Sequence, residues 1–166
     1  PRDSLEARRY MIGERRIGKT SLLHQITYSQ VQEKHVGELE SSIFVKSDIT
    51  LFPDAPPVTF FEEWTKVISR ISEKAPPAEP GYLNFRRFVE NVTEAGYKIV
   101  ILLDEFEATT TNSNLDRGFF EFLRALTQNY DISFILFSRT PLQYFLRMEK
   151  FRSIYSSPFF NTLNIS

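Results

Sequence analysis

Two stretches of this chain, YKIVILLDE (97–105) and DISFILFSRT (131–140), are apolar at successive positions rather than at alternate ones. A strand with one wet face alternates. A strand that is apolar on both sides must be covered on both, as in a parallel sheet flanked by helices. SSIFVKSD (41–48) is a third strand candidate, RRYMIG (8–13) a poorer fourth, and TLNIS (162–166), at the chain end, a fifth.

Helical patterns lie between these runs. Thr59 followed by Glu62 has the spacing of a capping box, and Phe60, Phe61, Trp64, Val67, Ile68 and Ile71 then recur at helical spacing. Phe85, Phe88, Val89 and Val92 do the same, as do Leu115, Phe119, Phe122, Leu123, Leu126 and Tyr130. These aromatic stripes read as core faces against a sheet rather than as binding surfaces. PDAPP (53–57) and PPAEPG (76–81) are turn punctuation within one domain. Strands alternating with helices give an α/β layered fold.

The 166 residues suit a single domain with a sizeable core. A formal net charge of −1 speaks against a strongly basic nucleic-acid surface and against a polybasic membrane patch. With no cysteine there is no disulfide framework and no thiolate chemistry, which fits a reducing compartment. No apolar run reaches the length of a membrane span, and no signal peptide opens the chain. The expectation is a cytoplasmic protein without membrane contact.

MIGERRIGKTSLL (11–23) carries the first chemical motif. Gly13 to Thr20 fits G-x-x-x-x-G-K-[ST]. Gly13 and Gly18 let the backbone turn so that successive N–H groups converge on one phosphate. A helix beginning at the loop's end adds its positive dipole end. Lys19 can reach the β- and γ-phosphates, and the Thr20 hydroxyl can ligate Mg²⁺. SLLHQI continues as the helix this motif needs, although the strand before it, Tyr10 to Ile12, is weak. A chance match in such a chain has odds of about one in a hundred or lower. The competing reading is a glycine-rich turn before an ordinary helix. Arg15 and Arg16 sit where side chains point outward, so they read as surface positives at the mouth of the site.

The second motif is IVILLDEFE. An apolar strand ends in Asp104, whose carboxylate then emerges at the carboxyl edge of the sheet, where α/β sites lie. An acid there can hold Mg²⁺, and Glu105, one residue on, can orient a water for attack. The plainer reading is a strand that simply ends in solvent. It weakens when the phosphate loop is also present in the right order. Glu107 reads as a surface acid. TTTNSN (109–114) reads as a polar loop over the site or, slightly favoured, a disordered tip. ISFILFSRT also ends in polar residues. If that strand lies between the loop strand and the Asp104 strand, Ser138 or Arg139 can sense the γ-phosphate. Otherwise Arg139 is a surface residue before a turn at Pro141.

Together GERRIGKTSLL, IVILLDEFE, FFEFLRAL, ISFILFSRTPL and SPFFNTLNI resemble the ATPase core of the STAND class, signal-transduction ATPases with numerous domains, and the neighbouring AAA-like ATPases of bacteria and archaea. PRDSLEA is similar to the short segment that precedes the phosphate loop in that group, and the Arg15–Arg16 pair points the same way. The resemblance covers nearly the whole chain. It implies a three-layer α/β/α P-loop NTPase with a parallel sheet of order 5-1-4-3-2 and the ISFILFS strand central. It implies ATP and Mg²⁺, and a switch in which the ATP form opens and self-associates and hydrolysis resets it. Carried over by motif, Gly13, Glu14, Arg15, Arg16, Ile17, Gly18, Lys19, Thr20 and Ser21 bind the nucleotide, and Thr20 and Asp104 hold the metal. Glu105 is the catalytic base, with Lys19 and Arg139 as catalytic charges and Ser138 or Arg139 at the sensor position.

Two departures qualify the resemblance. The first strand is short and basic for a central one, and a helix expected between PRDSLEA and RRYMIG is missing, which suggests residues absent near Ala7 to Tyr10. The helical lid, winged-helix segment and repeats that follow such cores are also missing, so residues 1–166 are expected to be one ATPase core cut from a longer protein with further domains or signalling partners. A GTPase is disfavoured, since no Asn-Lys-x-Asp motif is present. A small-molecule kinase would need an acceptor pocket and a lid. A nucleotide-binding scaffold with negligible turnover and a nucleic-acid-associated AAA-like ATPase remain as alternatives, although nucleic acid is not indicated by the charge.

Overall fold

The structure, a computed structural model, describes residues 9–12, 21, 41–145, 147–151 and 161–164. In chain order the elements are β1 (Arg9–Ile12), β2 (Ser42–Asp48), α1 (Pro57–Ser72), α2 (Tyr82–Glu94), β3 (Lys98–Asp104), α3 (Arg117–Asn129), β4 (Ile132–Ser138), α4 (Leu142–Phe145) and β5 (Asn161–Asn164). Short 3₁₀ turns span Ile49–Leu51, Phe106–Thr110 and Glu149–Phe151.

The strands form one sheet of order β2-β3-β4-β1-β5, and every pairing is parallel. β1, expected to be too short and basic for an interior strand, is flanked on both sides by β4 and β5. Main-chain pairing holds those four residues whatever their side chains. Of the stretch Ala7 to Tyr10, where missing residues were expected, Arg9 and Tyr10 belong to β1, and residues 7 and 8 lie outside the described residues.

β3 and β4 are the doubly covered strands that their unbroken apolar runs predict. Ile99, Ile101, Leu103, Ile132, Phe134 and Leu136 join one large core with α1, α2 and α3. Leu102 and Phe137 are fully buried on the opposite side, packed with Phe44, Val100 and Ile135. β2, at the sheet edge, alternates instead: Ile43, Val45 and Ser47 are buried and Lys46 is exposed.

Phenylalanine, 16 of the 166 residues, fills much of the core. Phe61 of α1 stacks on Phe85 of α2 at 4.8 Å and 9°, and Trp64 leans on both Phe85 and Phe134. Burying each such ring contributes about 1.5–3 kcal/mol. Ile71, expected on this face, is 45% exposed. The neighbouring Ser72 turns inward and donates from Oγ to the Ile68 carbonyl.

α1 does not begin with the expected capping box. It starts two residues before Thr59, at Pro57, with Pro56 as N-cap and no side-chain cap. Proline at the first helical position has its φ already set and lacks an N–H that would go unbonded there, so it starts the helix by itself. α3 is capped by a side chain: Asp116 Oδ1 accepts from Phe119 N at 3.0 Å.

Candidate functional site

β4 lies between β1 and β3, so the carboxyl ends of the three strands meet at one edge. Ile12, which precedes Gly13, is in register with Ser138. Asp48 and Asp104 end neighbouring strands in register. Asp48 spends its carboxylate locally, accepting from Thr50 N at 2.9 Å and Thr50 Oγ1 at 2.6 Å. Asp104 is 7% exposed, and its Oδ1 accepts from Glu105 N at 3.0 Å.

Glu105 leaves the strand in the left-handed region, φ 51°. A non-glycine residue held there costs about 1–3 kcal/mol and tends to mark a functional turn. The next side chain fixes the turn. Phe106 is 1% exposed and sits among Phe145, Phe151 and Phe120 at centroid distances of 5.5, 5.8 and 6.1 Å. With Phe106 driven inward, Glu105 and Glu107 on either side of it both reach the end of β4.

There they share Arg139. Its Nε donates to Glu107 Oε1 at 2.8 Å, and its Nη2 stands 2.5 Å from Glu105 Oε2. The second contact is an ion pair not aligned as a hydrogen bond, which leaves the buried Oε2 without one. Glu107 also accepts from Ser138 Oγ at 2.9 Å and from the Arg139 main-chain N–H at 3.3 Å. The expectation that Glu107 is a surface acid is therefore wrong. Its side chain is 19% exposed, because the inward Phe106 carries the turn against β4, where three donors converge on the carboxylate.

The electrostatics separate the two glutamates. Burial pushes the Glu105 carboxyl above its ordinary range, the nearby Glu107 charge adds to this, and Arg139 opposes it. Burial acts on Glu107 in the same direction, but bonds from its own backbone N–H, Ser138 and Arg139 outweigh it, and its pKa falls. Arg139 is held charged, first by Glu107 and then by Glu105.

TTTNSN is not a disordered tip. Asn112 is fully buried and donates to the Ala55 carbonyl at 3.0 Å, and Asn114 donates to the Asp54 carbonyl at 2.8 Å. Lys150 Nζ donates to the carbonyls of Thr109, Thr110 and Asn112 at 2.6, 3.2 and 3.1 Å, and burial lowers its pKa. The segments after β3 and after β4 are thereby tied together beside Glu105 and Arg139. The grooves lined by α1, α2 and residues 75–81, each about 400 Å³, include none of these site residues.

Of the residues expected at the site, Asp104, Glu105, Ser138 and Arg139 come together at the edge. Ser21 is helical and exposed. Gly13, Glu14, Arg15, Arg16, Ile17, Gly18, Lys19 and Thr20 lie outside the described residues. No cluster of three or more His, Asp or Glu side chains forms a metal cage among the described residues. Asp104 offers a nearly buried carboxylate with one hydrogen bond within the described set. That hard-oxygen donor fits Mg²⁺, which one or two carboxylates hold together with phosphate and water oxygens. No helix among the described residues is long and apolar enough to cross a membrane.

Comparison with known proteins extends this picture. The profile of a family described as Novel STAND NTPase 2 matches residues 6–165. Comparison with curated proteins returns no match. Among solved structures, the chain is similar to the Aeropyrum pernix ORC2 protein in its ADPNP–ADP complexes, with a TM-score of 0.67, 18% identity and 94% of this chain covered. It is similar to the ADP form of that protein with a TM-score of 0.69, 19% identity and 95% covered. The match takes in 41% of those longer chains in both cases. At such identity the likeness is one of fold: an α/β domain built on a parallel sheet.

Proposed function

Starting from the fact that the chain belongs to the Novel STAND NTPase 2 family, we propose that it is an ATP-binding, ATP-hydrolysing switch domain that works with Mg²⁺. The observation that carries this reading is the register at the sheet edge. Ile12, immediately before the G-x-x-x-x-G-K-[ST] run, lies opposite Ser138, and Asp104 ends the strand on the other side of β4. The order β2-β3-β4-β1-β5 supports reading the sheet as the 5-1-4-3-2 arrangement of a three-layer P-loop core. The fold shared with a protein solved with ADPNP and ADP favours an adenine nucleotide.

In this reading the backbone of Gly13 to Thr20 wraps the phosphates, with Glu14, Arg15, Arg16, Ile17 and Ser21 completing the loop and Lys19 supplying charge. Thr20 and Asp104 hold Mg²⁺. A bound Mg²⁺ would supply charge neutralisation at the phosphates. Glu105 takes a proton from water at its carboxylate, for which its raised pKa suits it. Arg139 reads the terminal phosphate. The domain is one core of a longer protein, self-associating when loaded and coupled to further domains that carry a signal.

One observation favours a second reading, a nucleotide-binding scaffold with negligible turnover: Arg139 already occupies Glu105. Nucleotide binding tests what the two readings share. Lys19→Ala removes a charge that faces phosphate and is expected to abolish ATP affinity in the purified protein. Unchanged affinity would contradict the loop assignment.

A further inference from the structure

Resting on that nucleotide reading, we propose that Glu107 is a positioning residue: it orients the Arg139 guanidinium so that its Nη edge can read the terminal phosphate of the nucleotide. No local signal marks Glu107. It stands three residues beyond Asp104, and its partners are more than thirty residues away, at |i−j| of 31 and 32.

An exposed acid beside an arginine is worth little, because water competes for both charges. Glu107 is not such an acid. Its carboxylate takes the Ser138 hydroxyl, the Arg139 main-chain N–H and the Arg139 Nε. Ser138 Oγ is itself held, accepting from Thr140 N at 3.1 Å. The first two bonds pin the carboxylate to the backbone at the end of β4. The third then sets the plane of the guanidinium, since Nε and the Nη nitrogens form one rigid fork. With Nε engaged, the Nη edge is left for an anion. It now stands 2.5 Å from Glu105 Oε2 in an ion pair. A phosphate offers Nη a partner of the bidentate kind that arginine favours, and Glu105 is released when that partner is taken. The buried Phe106 keeps both glutamates in place during the exchange.

The rival is a structural staple, with Glu107 only fastening the 106–110 turn to β4. Binding without turnover separates the two. The affinities of Mg²⁺-ADP and of a non-hydrolysable ATP analogue are measured by calorimetry for the parent, Arg139→Ala, Glu107→Ala, Glu107→Gln and the double variant Glu107→Ala/Arg139→Ala. Glu107→Gln keeps the shape and one acceptor, and so covers the case in which the alanine fails to fold. The expected result is that the analogue-to-ADP affinity ratio falls about tenfold in Arg139→Ala and in Glu107→Ala, and partly in Glu107→Gln. ADP affinity stays within about twofold of the parent. The double variant discriminates no worse than Arg139→Ala alone, because both changes remove the same fork. The proposal is overturned if the ratio is unmoved in the Glu107 variants or in Arg139→Ala, if the two losses add, or if Glu107→Gln weakens ADP and analogue equally. A parent that binds neither nucleotide overturns the nucleotide reading as well. A parent that binds, with variants that keep the ratio, overturns this inference alone.

Discussion

Arg139 and Glu107 are joined by a 2.8 Å hydrogen bond from Nε to Oε1 across a separation of 32 residues. That bond couples the turn after β3 to the end of β4, so the two acidic positions flanking Phe106 and the polar end of the neighbouring strand form one charged unit. Among the described residues the unit carries one guanidinium for two carboxylates, and the carboxylates differ: Glu107 accepts from Ser138 Oγ, the Arg139 main-chain N–H and Arg139 Nε, whereas Glu105 meets the Nη2 of Arg139. The difference sets how each responds to pH and to substitution.

Glu107 has a lower pKa in the folded chain than in the unfolded one. Its charge therefore stabilises the fold above the ordinary glutamate value of about 4.3, and the contribution is lost as pH falls through the folded value. Glu105 has the opposite sign. Its pKa is raised, so its contribution is full below about 4.3 and disappears as pH rises through the folded value. At about pH 7, Glu107→Gln is expected to lower Tm, and Glu105→Gln to leave it level or raise it. Thermal unfolding across the acid range checks this: the Glu107→Gln deficit should close below the ordinary value. A deficit that stays constant into strong acid would contradict the assignment.

Lys150 caps three carbonyls of the 109–112 segment. Lys150→Met keeps the apolar stem and removes the donors. The expected cost is about 1–3 kcal/mol, or a fall in Tm of about 2–4 °C per kcal/mol for a chain of this size. Hydrogen exchange should rise in residues 106–114 ahead of the rest of the sheet. Unchanged exchange there would show that the segment is held without Lys150.

Phe106→Ala empties a position lined by Phe120, Phe145 and Phe151. Substitutions of this kind cost about 3–5 kcal/mol, which denaturant unfolding would register as a lower midpoint at constant m-value. In addition, because Phe106 sets the turn that carries Glu105 and Glu107, the pH dependence of stability that arises from those glutamates should flatten. A variant that is destabilised but keeps the parental pH profile would show that the glutamates hold their places without the ring.

Much of the fold was legible, and for identifiable reasons. The runs ending in Asp104 and Ser138 are apolar at successive positions because β3 and β4 are buried on both faces, so the pattern reports the sheet directly. The stripes of Phe60, Phe61, Trp64 and Ile68, and of Phe119, Leu123 and Leu126, mark the helical faces that reach the core. β1 was harder, since four residues carry little pattern and main-chain pairing places them. Thr59 and Glu62 had the spacing of a cap, but Pro57 starts the helix first.

The placement of Asp104 and Glu105 at the sheet edge was legible because it follows local order, whereas contacts that depend on remote partners were not. Nothing near Glu107 signals that Ser138 and Arg139 will close on it. Asn112 and Asn114 look like the tip of a polar loop, and only the carbonyls of Ala55, Asp54 and the ammonium of Lys150, at |i−j| of 57, 60 and 38, make that loop an anchored one.

The functional reading turns on Glu105 as the base that activates water for hydrolysis of a bound nucleotide. Mg²⁺-ATP binding and steady-state turnover, measured side by side in the parent and in Glu105→Gln, test that role without an intermediary. The expected result is turnover in the parent, with ATP affinity retained and hydrolysis lost by a factor of about a hundred or more in the variant. Hydrolysis by Glu105→Gln at the parental rate would contradict it.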